Sequence, residues 1–358
     1  MNKVKFPFSL SDPFTLSCIA RLKEHPKRFV FSEGADLRVL QVAQKVVELE
    51  MGTPILLGDR DEILKIAKEN KIDLEFINIT DPKKSSDLDL FVKRLERIEK
   101  LKGVKLANPR EMMTSPFRYA CMMIQYGHAD AYIGGNMSTA TSVLRASQQL
   151  LKKDPDVPDV FAATILIGRQ LKNFGRDGYL IFADTAINPE PSIEELSAIT
   201  LSSATLANRL FDIRPRVALL SHSSKGSNST PSAQRVAAAT ELAHSIAVQK
   251  MIDVEIDGEI QADVALNPRA AEKKVPHMDQ KGPVDVLVFP TLDAAHIASK
   301  MIQHAGGAKA YSQFILGLTR PVVQVSMAIS VDTLLGTVAA LGVEAISSRE
   351  RAEARRAL

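Results

Sequence analysis

The sequence predicts an α/β protein of two domains, each with a mainly parallel sheet, and three observations predict it. Short apolar runs rich in β-branched residues alternate with longer segments of helical period, the pattern of parallel strands joined by helices. The 358 residues are enough for two ordinary domains. The stretch Lys152–Pro158 (K-K-D-P-D-V-P) combines two prolines with four charges, stops any helix and marks a boundary.

Arg28–Gly34 reads as the first strand and Asp36–Glu50 as a helix, with Leu37, Leu40, Ala43, Val46 and Val47 at helical spacing. Thr53–Leu57 is a second strand, Asp61–Lys68 a second helix and Glu75–Ile79 a third, weaker strand. Helical patterns cover Leu88–Leu101 and Pro109–Gly127, and the strand Ala131–Gly135 leads into a helix over Thr139–Leu151. Beyond the boundary, Phe161–Ile167 and Gly178–Thr185 are strand-like with no long helix between them, so an antiparallel pair is expected. The helix Ser192–Phe211, strand Arg216–Ser221, helix Pro231–Ala247, strand Asp285–Phe289 and helix Leu292–Ala305 follow. Pro321–Val325 is the last strand and Val331–Val343 the last helix, while the tail Ser347–Leu358, with four arginines and two glutamates, reads as a solvated helix end.

Composition narrows the partners. Lys+Arg and Asp+Glu number 45 and 42, a balance of +3, which argues against a nucleic-acid or membrane-surface partner. Aromatic residues make up only 5% and tryptophan is absent, so base-stacking platforms are not expected. Small-molecule substrates are. Cys18 and Cys121 are the only cysteines, which rules out a disulfide framework or a cysteine-rich metal centre. The start, Met1–Pro13, has no signal-type apolar run, and no uninterrupted apolar run approaches the ~18 residues of a spanning helix, so a cytoplasmic location is expected. His296 and His304 share a helix without a metal-binding motif around them, and no metal site is expected.

Three segments carry chemistry. Leu219–Ser227 (L-L-S-H-S-S-K-G-S) ends a strand in a loop with a point charge at Lys225, a close-approach position at Gly226, and hydroxyls at Ser221, Ser223, Ser224 and Ser227. Such a loop suits a phosphoryl group, although it is neither a P-loop nor a dinucleotide glycine motif. Tyr132–Arg145 (Y-I-G-G-N-M-S-T-A-T-S-V-L-R) is strand, glycine turn and hydroxyl-rich helix start at Thr139, whose free N–H groups attract anions; Arg145 lies two turns in. Ile256–Asp263 (I-D-G-E-I-Q-A-D) puts Asp257, Glu259, Gln261 and Asp263 at alternating positions, on one side of an extended segment: a solvated or hydrogen-bonded face, or a metal site.

With these segments, E-G-x-x-x-R (Glu33–Arg38), G-x-A-D (Gly127–Asp130), F-P-x-L (Phe289–Leu292) and G-L-x-x-P-V (Gly317–Val322) occur in an order that resembles the phosphate acetyl/butyryltransferase family from about residue 28 to 345. The resemblance implies a fold akin to the isocitrate and isopropylmalate dehydrogenases: two three-layer α/β domains with a cleft between them. The first domain would hold both chain ends, residues 1–155 and 316–358, and the second the inserted middle, 156–315. It implies reversible acetyl transfer between CoA and phosphate within a ternary complex. It further implies that no metal, cofactor or covalent acyl-enzyme is involved, with CoA as a substrate, and that the protein is a homodimer. The implied catalytic residues are Ser326, Asp332 and Arg145; the substrate-binding ones are Thr139, Ser221, Ser223, Lys225, Gly226, Ser227 and Arg320.

This chain also departs from the family pattern. The S-R-G turn reads Ser326-Met327-Ala328, and the family's aspartate falls on Thr333, with Asp332 one position earlier. A G-P-x-x-Q-G loop reads S-Q-F-I-L-G (Ser312–Gly317), and N-x-G-N reads D-A-A-H (Asp293–His296). Arg320, Lys225 and His296 are the cations available to replace the missing arginine. An acyl-CoA-binding regulatory paralogue with little transferase activity, and a transferase for a longer acyl chain such as butyryl, remain alternatives.

Overall fold

The computed structural model describes residues 12–103, 108–155, 157–175, 178–278 and 283–357, with the backbone alone at 101, 102 and 349–357. Most of the Met1–Pro13 start, Asp156 of the boundary stretch and the side chains of the arginine-rich tail lie outside the described residues. The chain divides into two compact units: unit 1 comprises Met1–Lys152 and Leu318–Leu358, unit 2 Lys153–Gly317. In chain order the strands are β1 (Lys27–Phe31), β2 (Gly52–Leu57), β3 (Asn78–Thr80), β4 (Ala131–Gly134), β5 (Phe161–Ile167) and β6 (Tyr179–Ala183). They continue as β7 (Arg216–Leu220), β8 (Glu255–Ile260), β9 (Val286–Val288), β10 (Lys309–Leu316) and β11 (Val322–Gln324).

In unit 1 the strands lie in the order β3-β2-β1-β4-β11, and every neighbouring pair is parallel. A parallel sheet is covered on both faces, so its central strands are apolar along their length. Phe29, Val30 and Phe31 of β1 and Ala131, Tyr132 and Ile133 of β4 are accordingly buried. The helices Pro13–Glu24 and Leu37–Glu48 pack on the helix Val331–Ala357, and Pro116–Gln125 packs on Ala140–Leu150 and on β1 and β4. The window Val331–Ser348 is long and apolar enough to cross a membrane, yet 78% of it is buried inside the protein, as in a core helix.

Two expectations fail in unit 1 for local reasons. The helical pattern Pro109–Gly127 is two helices, Pro109–Met113 and Pro116–Gln125, because Pro116 forces Ser115 into an extended conformation (φ −68°, ψ 122°). The weak strand Glu75–Ile79 shrinks to Asn78–Thr80: the Asp73 side chain accepts from Glu75 N and Phe76 turns to φ 63°, so the chain there is a turn.

In unit 2 the order is β10-β5-β6-β9-β7-β8. The expected antiparallel pair is present, β5 on β6 with Ile165 opposite Ile181; β10 also runs antiparallel to β5, while β6, β9, β7 and β8 are parallel. The helix Ile193–Phe211 opens with a capping box, Ser192 and Glu195 bonding reciprocally, and packs on the helix Pro231–Gln249 and on β6, β7 and β9. Two further expectations are corrected here. Ser312–Gly317 is strand through Leu316, held by its pairing with β5 and by burial of Phe314 and Ile315. The alternating face of Ile256–Asp263 does not form, because the strand ends at Ile260 and Asp263 belongs to the helix Ala262–Leu266.

Candidate functional site

The carboxyl ends of β1, β4 and β11 lie side by side in unit 1, and each opens into a loop. In open α/β sheets this edge is where ligands bind, because the loops and following helix N-termini present unpaired N–H groups there. Val325 N donates to Gly134 O at 2.8 Å, which joins the β4 and β11 loops at their roots. Gly135 has φ +110°, and a Cβ there would stand 2.5 Å from Val325 O, so only glycine fits this approach.

The glycine turn does not offer its N–H groups to a ligand. The Glu33 carboxylate, from the β1 loop, accepts from Gly135 N (2.7 Å), Asn136 N (2.6 Å) and Met137 N (2.8 Å). The anion that the turn attracts is the chain's own. The helix start beyond it is different: Thr139 caps Ala140–Leu150 without a side-chain hydrogen bond, and the N–H groups of Ala140 and Thr141 have no acceptor among the described residues. Arg145 on this helix is exposed and makes no hydrogen bond or ion pair with the described residues. Helical side chains lean toward the N-terminus, so its guanidinium tends back to that open helix start.

After β11 comes Ser326-Met327-Ala328. Ser326 Oγ accepts from Ala328 N at 3.2 Å and keeps its own proton to donate, while the Met327 side chain is 58% exposed. Asp332 lies in the first turn of the helix Val331–Ala357, half-buried, and Thr333 turns inward, its hydroxyl 2.8 Å from Ser330 Oγ. Ser326, Asp332, Thr139 and Arg145 thus share one edge of the unit 1 sheet. Arg320 does not. It precedes β11 at the amino end, and at ~3.3 Å per residue it is roughly 20 Å of extended chain away from Ser326.

The five loop residues singled out in unit 2, Ser221, Ser223, Lys225, Gly226 and Ser227, follow β7 and pack on the end of β8. Glu259, 4% exposed, accepts from Ser223 Oγ (2.7 Å) and Gly226 N (2.9 Å), and its carbonyl accepts from Lys225 N (3.0 Å). Lys225 Nζ donates to Asp257 and, at 2.8 Å, to Gly258 O. The backbone N–H groups of Ser223, Ser224, Ser227 and Asn228 are bonded within the loop. Every N–H from residue 223 to 228 therefore has a partner already. Lys225 and Gly226 both adopt left-handed backbone (φ 49° and 80°), the geometry that turns these donors toward Glu259.

The carboxylates of D-G-E-x-Q-x-D are likewise divided among separate partners. Asp257 takes Lys225, Glu259 takes the serine loop, and Asp263 takes Lys274 at 2.6 Å. Among the described residues no group of three His, Cys, Asp or Glu side chains is placed to hold a metal ion. His296 is committed as well, its Nδ1 3.3 Å from Thr185 O. Burial pushes the thiols of Cys18 and Cys121 up to about 12, so neither is poised as a nucleophile. Burial also pushes the Asp184 carboxyl upward, against the pull of backbone N–H groups from Ala186, Asn188, Ala162 and Ile187.

Sequence reasoning quoted Glu33 and Arg38 only as part of a motif and assigned them no role. The signal was a charged pair directly after a strand, where a parallel sheet places its loops.

Comparison with known proteins agrees with this architecture. A phosphate acetyltransferase of Thermoanaerobacterium thermosaccharolyticum is 34% identical over 331 residues, covering 92% of this chain and 98% of that protein. Among solved structures, the EutD phosphotransacetylase from Staphylococcus aureus superposes with a TM-score of 0.82 at 29% identity, covering 92% of this chain and 99% of the other. A phosphotransacetylase from Streptococcus pyogenes gives 0.83 at 27% identity, covering 93% and 99%. The fold is thus the isocitrate/isopropylmalate dehydrogenase-like fold of the phosphotransacetylases. Residues 14–341 match the profile of one family, and the chain belongs to it: the phosphate acetyl/butaryl transferases.

Proposed function

We propose that the protein is a phosphate acetyltransferase, interconverting acetyl-CoA and phosphate with CoA and acetyl phosphate. The observation that carries this reading is the grouping of Ser326, Asp332 and the open Thr139–Arg145 helix start on one sheet edge, in a chain 34% identical to a phosphate acetyltransferase. In the direction of acetyl-CoA formation, Asp332 accepts the thiol proton of CoA and the thiolate attacks the carbonyl carbon of acetyl phosphate. The carbonyl oxygen becomes an oxyanion, to which Ser326 Oγ–H donates. The intermediate then breaks its bond to the phosphate oxygen and releases phosphate. Thr139, the N–H groups behind it and Arg145 hold the phosphoryl group throughout.

The unit 2 loop contributes binding through Ser221 and Ser227, and through Ser223 only where its buried hydroxyl leaves Glu259. Lys225 and Gly226 join only by releasing Asp257 and Glu259. Arg320 stays outside the reacting centre. CoA serves as a substrate, and the chain acts as a cytoplasmic homodimer whose folding domains are residues 1–155 with 316–358, and 156–315. Light scattering, cell fractionation and limited proteolysis check these three statements.

The assay couples acetyl phosphate and CoA to thioester formation. Wild type turns over. Asp332→Asn and Ser326→Ala each lose at least about tenfold in kcat, as expected for a base and an oxyanion donor. Met327→Arg raises turnover by restoring a cation to the turn. Full activity in Asp332→Asn would assign the base elsewhere. No turnover in wild type or in Met327→Arg would overturn the reading.

A further inference from the structure

One guanidinium touches all three loops of the unit 1 edge. Arg38 donates through Nε (3.0 Å) and Nη2 (2.6 Å) to Asp36 in the β1 loop. The same Nη2 donates to Asn136 O in the β4 loop at 2.8 Å. Nη1 donates to Met327 O (2.6 Å) and Ile329 O (3.1 Å) in the β11 loop. Asp36 is 7% exposed and also caps the helix that carries Arg38, accepting from Arg38 N at 2.8 Å. The guanidinium is therefore held in plane before it meets either carbonyl loop.

The β4 turn is gripped by both polarities, its N–H groups by Glu33 and its Asn136 carbonyl by Arg38. The β11 loop has fewer ties. Val325 N holds its root to Gly134 O and Ser330 holds its far end to Thr333 and Leu334; between them, besides Ile329 N to Ser326 O (3.0 Å) and Ala328 N to Ser326 Oγ, the carbonyls at 327 and 329 go to Arg38. Donors of that loop with no acceptor among the described residues are the N–H groups of Ser326, Met327 and Ser330, and the Ser326 hydroxyl proton is also left to donate.

We infer that Arg38 is a positioning residue: it turns the carbonyls of the 326–330 loop inward and sets the Ser326 hydroxyl and Met327 N–H at a fixed offset from the 135–137 turn. The inference rests on the proposed transfer reaction for its catalytic consequence, but not for the contact itself. Lysine cannot substitute, because a compact ammonium lacks the planar fork that serves a carboxylate and two loops together.

Hydrogen exchange and kinetics together test it. In Arg38→Lys, amides of 135–137 and 326–330 should exchange at least about tenfold faster, while those of 153–317 keep their wild-type rates. Displacing donors by ~1 Å is enough to cost on the order of 10²-fold in rate, so kcat should fall by about that factor with KM for CoA within about twofold. Ser326→Ala, costly in wild type, should then cost less than about twofold in the Arg38→Lys background, because the donor it removes is already misplaced. Asp36→Asn, which loosens Arg38 without touching either carbonyl loop, should reproduce the pattern more weakly and serves if Arg38→Lys does not fold. Unchanged exchange at 326–330 in both variants overturns the inference, as do additive losses in the double mutant. If wild type shows no turnover, the transferase reading falls, and the exchange rates alone decide for or against the Arg38 contact.

Discussion

The glycine turn of unit 1 and the serine–lysine loop of unit 2 look alike in sequence and use the same device, yet they end in different states. Each follows a parallel strand, each is rich in small polar residues, and each is filled by a glutamate from another motif of the chain. Glu33 takes three N–H groups of the first, and Glu259 takes Ser223 and Gly226 of the second. The difference lies in what is left over. In unit 2 the N–H groups from 223 to 228 are all bonded and Lys225 is tied to Asp257. In unit 1 the donors continue past the glutamate into an open helix start with Arg145, which makes no hydrogen bond or ion pair with the described residues. A loop that resembles an anion site can thus be a closed structural joint, and exposure of its internal carboxylate distinguishes the cases: Glu33 is half-buried and Glu259 is buried.

The largest expected effect is at the closed joint. Glu259→Ala takes the carboxylate acceptor from the buried Ser223 hydroxyl and leaves the Gly226 N–H without a partner, which should cost about 3 kcal/mol of stability in urea unfolding. Glu259→Gln, which keeps one acceptor, should cost about 1 kcal/mol. If Glu259→Ala is nearly silent, water replaces the carboxylate and the joint is open after all.

Glu33→Ala comes next. Its turn is within reach of solvent, so water can satisfy part of what is lost, and about 1–2 kcal/mol is expected. Acetyl transfer should fall by more than this stability change suggests, because the 135–137 turn borders the proposed reacting edge. A Glu33→Ala enzyme with wild-type turnover would place the chemistry elsewhere.

Lys225→Ala should be smaller still. The ion pair with Asp257 is 41% and 17% exposed on its two sides, and such pairs are worth about 1 kcal/mol or less. Ligand titrations sharpen this: unchanged CoA and phosphate binding would confine Lys225 to the joint, and weakened binding would mean that the lysine leaves Asp257 for the ligand.

The smallest effect is a change in slope with pH at a third joint, Arg28 with Asp130 in unit 1. Burial by itself would raise the Asp130 carboxyl. Side-chain and backbone hydrogen bonds from Arg28 more than offset it, and the net shift is downward. Because the folded protein holds this carboxylate ionised more strongly than the unfolded chain does, its contribution is full at neutral pH. That contribution is lost as pH falls below the ordinary carboxylate range and through the lowered folded value. Asp130→Asn should flatten the acid limb of the stability profile and reduce stability at pH 7. An unchanged acid limb would show that the pair contributes nothing measurable.

Much of the fold was legible because its signals are local. Period-two and helical apolar patterns, the antiparallel 161–167 and 178–185 pair, and the break near 152–158 depend on residues close in sequence. Where the reading slipped, a local competitor was overlooked, such as Pro116 inside the 109–127 pattern. Strand β10 was hidden for another reason: Ser312 and Gln313 interrupt its apolar run, and only pairing with β5 holds it extended.

What the sequence by itself determined was the class of fold and the motif order, with Thr139 and Ser326 in the segments that follow the strands 131–135 and 321–325. The reason is that a residue's place after a strand is a property of the chain. What only the tertiary structure decided was which polar groups are already bonded to one another. Sequence cannot tell whether Lys225 awaits a ligand or holds Asp257, since those two residues meet across 32 positions of chain. Nor can it tell that Arg38 reaches Met327 O across 289. Hydrogen bonds saturate over ångströms of space, and a donor's availability depends on every group the fold brings within that reach.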